Sequence, residues 1–142
     1  MVMQIDNNKA LADGLELFKH SKWHKVYNVD DVYRYLIAPI KYNRIRLYYQ
    51  EDKPIGLVTW CWLSKEDGQR FLNNDYYITE SDYVSDTNEE LWGIELLAPY
   101  GNARQVFSLI RKEHTNVYGR NEKVNWRRLH EPSKRHTREF KK

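Results

Sequence analysis

Apolar residues near the start of the chain recur at helical steps. Leu11, Leu15 and Phe18 follow at intervals of four and three, and Asp6–Asn8 before them offers side-chain oxygens to the first free amides, so a helix is predicted here. Asn28–Asp31 supplies a second cap with first-turn acids, opening a helix to about Lys41 that buries Val32, Tyr35, Leu36 and Ile40. Pro39 lies inside it and predicts a kink or an end, because proline has no N–H to give and clashes with the preceding turn. The period then drops to two. Ile45, Leu47 and Tyr49 alternate with Arg44, Arg46, Tyr48 and Gln50; Glu51-Asp52-Lys53-Pro54 is turn chemistry, and Ile55–Leu63 is rich in β-formers, which together predict an antiparallel hairpin.

Ser64 with Glu66–Asp67 predicts a short helix to about Asn73. The polar stretch Asn74–Glu90 shows a capping pattern at Thr79–Asp82 but little periodicity. Leu91–Ala98 reads as a strand ended by Pro99, and Gly101-Asn102 opens a helix with Ala103, Val106, Phe107 and Ile110 at i, i+3, i+4 and i+7. Thr115–Tyr118 and Lys123–Leu129 read as two further short strands. The order α, α, β, β, α, β, α, β, β predicts an α+β fold, a single domain over residues 1–142 with a mostly antiparallel central sheet flanked by helices.

Composition narrows the class. The 142 residues are 41% hydrophobic and 30% charged, which suits one folded core and excludes wholesale disorder. Ile55–Leu63 and Leu91–Pro99, the longest apolar stretches, fall short of the roughly 20 residues a bilayer span needs. Met1–Lys9 is polar, without a basic segment followed by an apolar one, which predicts no secretory leader and a cytoplasmic location. Cys61, the single cysteine, excludes an intramolecular disulfide and a cysteine-rich metal site. Charge is uneven: residues 1–110 carry 12 Lys/Arg against 16 Asp/Glu, whereas 111–142 carry 11 against 4. A basic end fits an anionic partner, or else a solvated tail that frays over its last ten residues.

Three places carry candidate chemistry. Glu95 interrupts the apolar strand 91–98, where alternation puts Leu91, Gly93, Glu95 and Leu97 on one face and Gly93 leaves room beside the carboxylate. Desolvation raises such a carboxyl's pKa unless a cation or hydrogen-bond donors hold it, so Glu95 is either a reacting group or a structural partner of the basic C-terminal residues. Ser21-Lys22-Trp23-His24 lies between the first two helices, where an imidazole titrating near pH ~6.5 suits a general base. Ser21 either orients that ring or caps the turn; a lone loop histidine is otherwise an ordinary surface residue. Tyr100-Gly101-Asn102-Ala103-Arg104 opens a helix whose free amides and Arg104 suit a phosphate, or simply cap the helix. His20, His114, His130 and His136 form no metal-ligand spacing with carboxylates or Cys61, so no metal is expected.

Several of these segments resemble one family. Ser21-Lys22-Trp23-His24, Tyr42-Asn43-Arg44-Ile45-Arg46-Leu47-Tyr48, Lys53-Pro54-Ile55-Gly56-Leu57-Val58-Thr59-Trp60 and Leu91-Trp92-Gly93-Ile94-Glu95-Leu96-Leu97-Ala98-Pro99-Tyr100-Gly101 resemble, in order over roughly residues 15–113, the toxin-activating lysine acyltransferases that serve RTX toxins. The resemblance implies a fold similar to the Gcn5-type N-acetyltransferases, with acyl-carrier protein and not coenzyme A as donor. The reaction implied is transfer of a fatty acyl group to the ε-amine of an internal protein lysine. The family's catalytic histidine, and the serine three residues before it, fall on His24 and Ser21. Its catalytic aspartate falls on Glu95, which keeps the charge but sets the carboxylate one methylene further out.

The implied co-substrate is the phosphopantetheine thioester of an acyl-carrier protein, with no tightly bound cofactor. The implied partners are that carrier, a protein lysine substrate in an RTX-like toxin or another protein, and a second copy in a homodimer. Trp60, Trp92, Gly101, Asn102 and Arg104 are the expected acyl- and carrier-binding residues, with Trp62 and Tyr48 beside them in an acyl channel or in the core. An oxyanion donor is expected from a bulged strand end at Leu97–Ala98. Carrier proteins are acidic, which makes Arg104, Arg111, Lys112, Arg120, Lys123, Arg127 and Arg128 the expected docking residues. The match weakens past Lys112 to Lys123–His130. The competing reading is a non-catalytic or repurposed member of the fold, phage or mobile-element encoded, that binds nucleic acid or an acidic protein through residues 111–142; an acyltransferase acting on a small molecule is a third.

Overall fold

The structure is a computed structural model that describes residues 6–85, 89–118, 122–128 and 131–140. Its five strands, β1 (Ile45–Gln50), β2 (Lys53–Leu63), β3 (Glu90–Leu97), β4 (Glu122–Arg128) and β5 (Glu131–Phe140), form one mixed sheet in the order β1-β2-β3-β4-β5. Every neighbouring pair is antiparallel except β3–β4. The architecture is α+β, as the order of sequence periods implies. The chain reverses between β1 and β2 at Glu51 and Asp52, both at positive φ (49° and 66°), which matches the twist of a tight two-residue hairpin.

One face of the sheet is covered by α1 (Asn7–Lys19), by the continuous run α2 (Val29–Val32), a π-helical turn (Tyr33–Ile37) and α3 (Ala38–Lys41), and by α4 (Lys65–Leu72) and α5 (Glu80–Val84). Asp6 caps α1, Asn28 and Asp31 form a reciprocal capping box on α2, and Ser64 caps α4, each where the sequence places it. The buried stripe of α1 is Ala10, Gly14, Leu17 and Phe18, and Leu15 faces outward. Gly14 explains the rotation: a Cβ there would stand 2.5 Å from Cδ1 of Leu36, so the missing side chain is what brings α1 against the second helical run. Pro39 does not break that run; the chain widens just before it, with the amide of Ala38 bonding to the carbonyl of Tyr33, and the helix ends two residues after the proline.

The opposite face is covered by α6 (Ala103–Tyr118), whose Val106 fills the space above Gly56. The helix is longer than its apolar pattern implies, and Thr115–Tyr118, expected as a strand, is its last turn. All four of those residues have poor or middling helix propensity, so continuation of the helix outweighs local preference. The basic end does not fray where it is described: β5 pairs with β4 from Glu131 to Phe140, and Arg135 bonds to Glu90 on β3. An edge strand made almost wholly of charged and polar residues gives no apolar period, so the sequence left this strand unseen. Arg120 and His130 lie outside the described residues.

Among the described residues, β3 and β4 pair only at Leu91–Val124 and Trp92–Asn125. Beyond Trp92, β3 continues along β2 alone, and the sheet opens on its C-terminal side.

Candidate active site

The opening coincides with a break in β3's own alternation. Thr59 of β2 pairs with Glu95, but Trp60 pairs with Gly93, leaving Ile94 as an extra residue. This bulge, at Ile94 and not at Leu97–Ala98, corrects the face assignment made from the sequence. Leu91 and Gly93 face α6, whereas Glu95 and Leu97 turn to the side of α1, and Gly93 does not stand beside the carboxylate. The amide of Glu95, displaced from the ladder, donates to Oγ1 of the fully buried Thr59 at 3.0 Å. A period-two reading cannot see a bulge, and here the bulge sets the site.

The segment after α1 delivers the facing groups. Its backbone turns tightly, with Lys25 N–H bonding to the Ser21 carbonyl and Tyr27 N–H to that of His24, so Ser21, His24 and Tyr27 at three-residue intervals share one side. Ser21 Oγ lies 2.6 Å from Nδ1 of His24, Nε2 of His24 contacts Oε2 of Glu95 directly, and the Tyr27 hydroxyl donates to Oε1 of Glu95 at 2.9 Å. Ser21, His24 and Glu95 are all buried. A carboxylate only accepts, so Nε2 carries the proton toward Glu95 and Nδ1 offers its lone pair to the Ser21 hydroxyl. Phe18 and Tyr27 flank the imidazole with ring centres 4.9 and 5.0 Å away, which fixes its plane.

Electrostatics reinforce the arrangement. Burial, and next the charge of Glu95, push the Tyr27 hydroxyl's pKa far up, so it stays protonated and is a permanent donor. Tyr35, packed 5.6 Å from Tyr27, is raised by the same two causes in the same order. Arg127 reaches the site from β4 and is pulled down by burial; Nη1 donates to the Phe71 carbonyl at 2.7 Å while the guanidinium lies 3.9 Å from that ring's centre. A cavity of about 1050 Å³ passes through the opening of the sheet, lined by His24, Tyr27 and Glu95 on one side and by Trp60, Phe107 and Trp126 on the other.

The profile of the HlyC RTX toxin acyltransferase family matches residues 3–139. The chain belongs to the RTX toxin acyltransferase family. It is 22% identical over 121 residues to the RTX-III toxin-activating lysine-acyltransferase ApxIIC of Actinobacillus pleuropneumoniae, covering 80% of this chain and 69% of that one. It is 26% identical over 98 residues to the lysine-acyltransferase RtxC of Vibrio cholerae (68% and 62% covered), and 24% identical over 106 residues to the protein-lysine myristoyltransferase HlyC of Escherichia coli (70% and 61%). The chain thus spans about two thirds of the length of these relatives. Among solved structures, the loading GNATL domain of CurA from Lyngbya majuscula superimposes with a TM-score of 0.57 at 11% identity, covering 87% of this chain and 62% of that one, which shows a GNAT-like fold.

Within this member of the RTX toxin acyltransferase family, the residues singled out by sequence divide clearly. Ser21, His24 and Glu95 meet. Trp60 and Arg104 line the cavity, as do Arg111, Arg127 and Arg128, while Lys112 and Lys123 are exposed outside it. Trp92 does not: it is fully buried on the α1 side against Phe71, its indole N–H donating to Glu90, because ordinary alternation along β3 sets Trp92 and Gly93 on opposite faces. Gly101 takes a positive φ of 75° that a turn into α6 requires, and Asn102 donates from its side chain to the Ile55 carbonyl, so both shape the loop and neither lines the large cavity. Among the described residues no cluster of three His, Cys, Asp or Glu could hold a metal, and no helix is long and apolar enough to cross a membrane. Tyr27, Tyr35 and Thr59 were missed. The spacing Ser21-x-x-His24-x-x-Tyr27 was the available signal.

Proposed function

We propose that this protein transfers a fatty acyl group from the phosphopantetheine thioester of acyl-carrier protein to the ε-amine of a protein lysine; its relatives' acyl transfer to protein lysine supports the acceptor half of this reading. The observation that carries the reading is the buried Ser21–His24–Glu95 chain of contacts at the edge of a cavity large enough for an extended acyl arm.

A lysine ammonium has a pKa of about 10.4 and must lose a proton before it attacks. With Nε2 committed to Glu95, Nδ1 is the basic atom, and it faces the Ser21 hydroxyl. The amine proton passes to Ser21 Oγ as the serine's own proton passes to Nδ1; Glu95 then holds the imidazolium. The freed amine attacks the thioester carbonyl carbon, and the C–S bond breaks as the tetrahedral intermediate collapses. The departing thiolate takes the first proton back along the same route, and the second proton of the now cationic nitrogen is lost to water. An amide, a thiol and one free proton result, and Ser21 and His24 return to their starting states. Arg104, Arg111 and Arg128 around the cavity suit an acidic carrier.

The test is mass spectrometry of an RTX-toxin segment with an internal lysine after incubation with the protein and myristoyl-loaded carrier; one myristoyl amide per modified lysine is expected, and none overturns the reading. Titration against empty carrier and against a random DNA duplex at one ionic strength separates the non-catalytic reading. Micromolar carrier binding, weakened by Arg104→Glu/Arg128→Glu, is expected; tight duplex binding without carrier binding contradicts it. Arg127 is unsuited to that control because it is packed on Phe71.

A further inference from the structure

On the α6 side of the sheet the cavity is an apolar slot. Val58, Trp60 and Leu91 form its floor, and Phe107 and Ile110 form its roof. It runs from the opening at Gly93, across Trp60 on the next strand, to β1, which is the edge of the sheet. There its chemistry changes. Arg46 and Tyr48 are the β1 residues in its wall, and Arg46 Nε donates to Oε1 of Glu113 on α6 at 2.8 Å. The Arg46 guanidinium lies 5.2 Å from the centre of the Trp60 ring, and Nη1 donates to the Ile45 carbonyl at 2.8 Å and to Oδ1 of Asn43 at 3.4 Å. Tyr48 stands in the same wall, and its pKa is pushed up by burial and then by the charge of Glu113. Both members of the pair are largely shielded, with side-chain exposures of 22% and 18%.

We propose that the Arg46–Glu113 ion pair is the end wall of the acyl slot and sets the longest chain the protein accepts, an inference that rests on the acyl-transfer reading above. Each methylene entering the apolar slot leaves water for hydrocarbon-like surroundings and strengthens binding about fourfold. A terminal methyl that reaches the pair finds no such gain. To pass, it must separate two shielded charges that already satisfy each other. Affinity therefore climbs with chain length and then stops, and the length at which it stops belongs to the distance from the reacting carbonyl to Arg46 and Glu113.

Calorimetric titration of a series of saturated acyl-pantetheines reads this directly, independent of transfer. The native protein is expected to gain about fourfold in affinity per methylene up to a break, with no further gain beyond it. Arg46→Met/Glu113→Met, which replaces both charges together, moves the break to longer chains, and Ile110→Trp, which fills the slot from its roof, moves it to shorter ones. If the double variant does not fold, Ile110→Trp still decides. An unbroken rise, absence of any length dependence, or a break that stays fixed in the folded variants overturns the proposal. A break that moves as expected in a protein showing no acyl transfer overturns the acyl-transfer reading alone.

Discussion

The Tyr27 hydroxyl donates to Oε1 of Glu95 at 2.9 Å while Oε2 of the same carboxylate contacts Nε2 of His24, so two residues three apart in the chain grip one acid from both sides. Tyr27→Phe keeps the ring that packs on the imidazole and removes only the hydrogen bond. A hydrogen bond to a charged group is worth about 1.5–3 kcal/mol, and its loss leaves the Glu95 carboxylate held from one side only. The maximum rate of transfer is expected to fall by about 10-fold or more, with KM for the carrier unchanged. An unchanged maximum rate removes Tyr27 from the account.

Glu95 reaches His24 with one methylene more than the aspartate that the family resemblance places there. Glu95→Asp withdraws the carboxylate but keeps its charge, leaving space at Nε2 that a water can fill, and transfer is expected to persist. Glu95→Gln keeps the length and loses the charge that stabilises the imidazolium, so a drop of about 10²-fold or more is expected with the melting temperature nearly unchanged. Equal activity in Glu95→Gln and the native protein would show that the carboxylate's charge plays no part.

Two glycines on neighbouring strands separate fold from site. A Cβ at Gly56 would stand 2.7 Å from Val106 and 2.9 Å from the Leu97 carbonyl, whereas one at Gly93 meets nothing nearer than 3.8 Å. Gly56→Ala is expected to cost about 1–3 kcal/mol of stability in chemical denaturation, and Gly93→Ala to leave stability close to native. Gly93→Ala narrows the opening between β3 and β4, so it should act on donor binding instead.

High pH tests the buried tyrosines. Tyr27, Tyr48 and Tyr83 all have pKa values raised, first by burial, so the folded protein holds them protonated while the unfolded chain ionises them near pH 10. Their contribution to stability is full below that pH and is lost as pH rises beyond it. Tyrosinate absorbance and loss of circular dichroism are expected to rise together above about pH 10 for this subset, and ionisation of all tyrosines before unfolding would contradict the burial.

Capping residues and apolar periods made much of the fold legible. Asp6, Asn28 and Ser64 open helices where their side chains can reach free amides, and the hairpin around Glu51–Asp52 follows from the alternation on either side. The misses have common physical causes. Gly14 rotates α1 by allowing an approach that no pattern of apolar residues encodes, and β5 is recognised by its partner strand, not by its own charges. In the site, Ser21, His24 and Glu95 were visible as residue types out of place. That Glu95 turns toward His24 depends on the extra residue Ile94, and a long-range register of this kind is set by β2 as much as by β3.

The account stands or falls with His24. The rate of amide formation on a toxin lysine, measured by intact-protein mass spectrometry with acyl-loaded carrier in excess, is expected to fall by about 10²–10⁴-fold in His24→Ala and less in Ser21→Ala, with carrier affinity preserved in both. Transfer by His24→Ala at the native rate, in a variant that folds and binds carrier normally, would contradict the central claim.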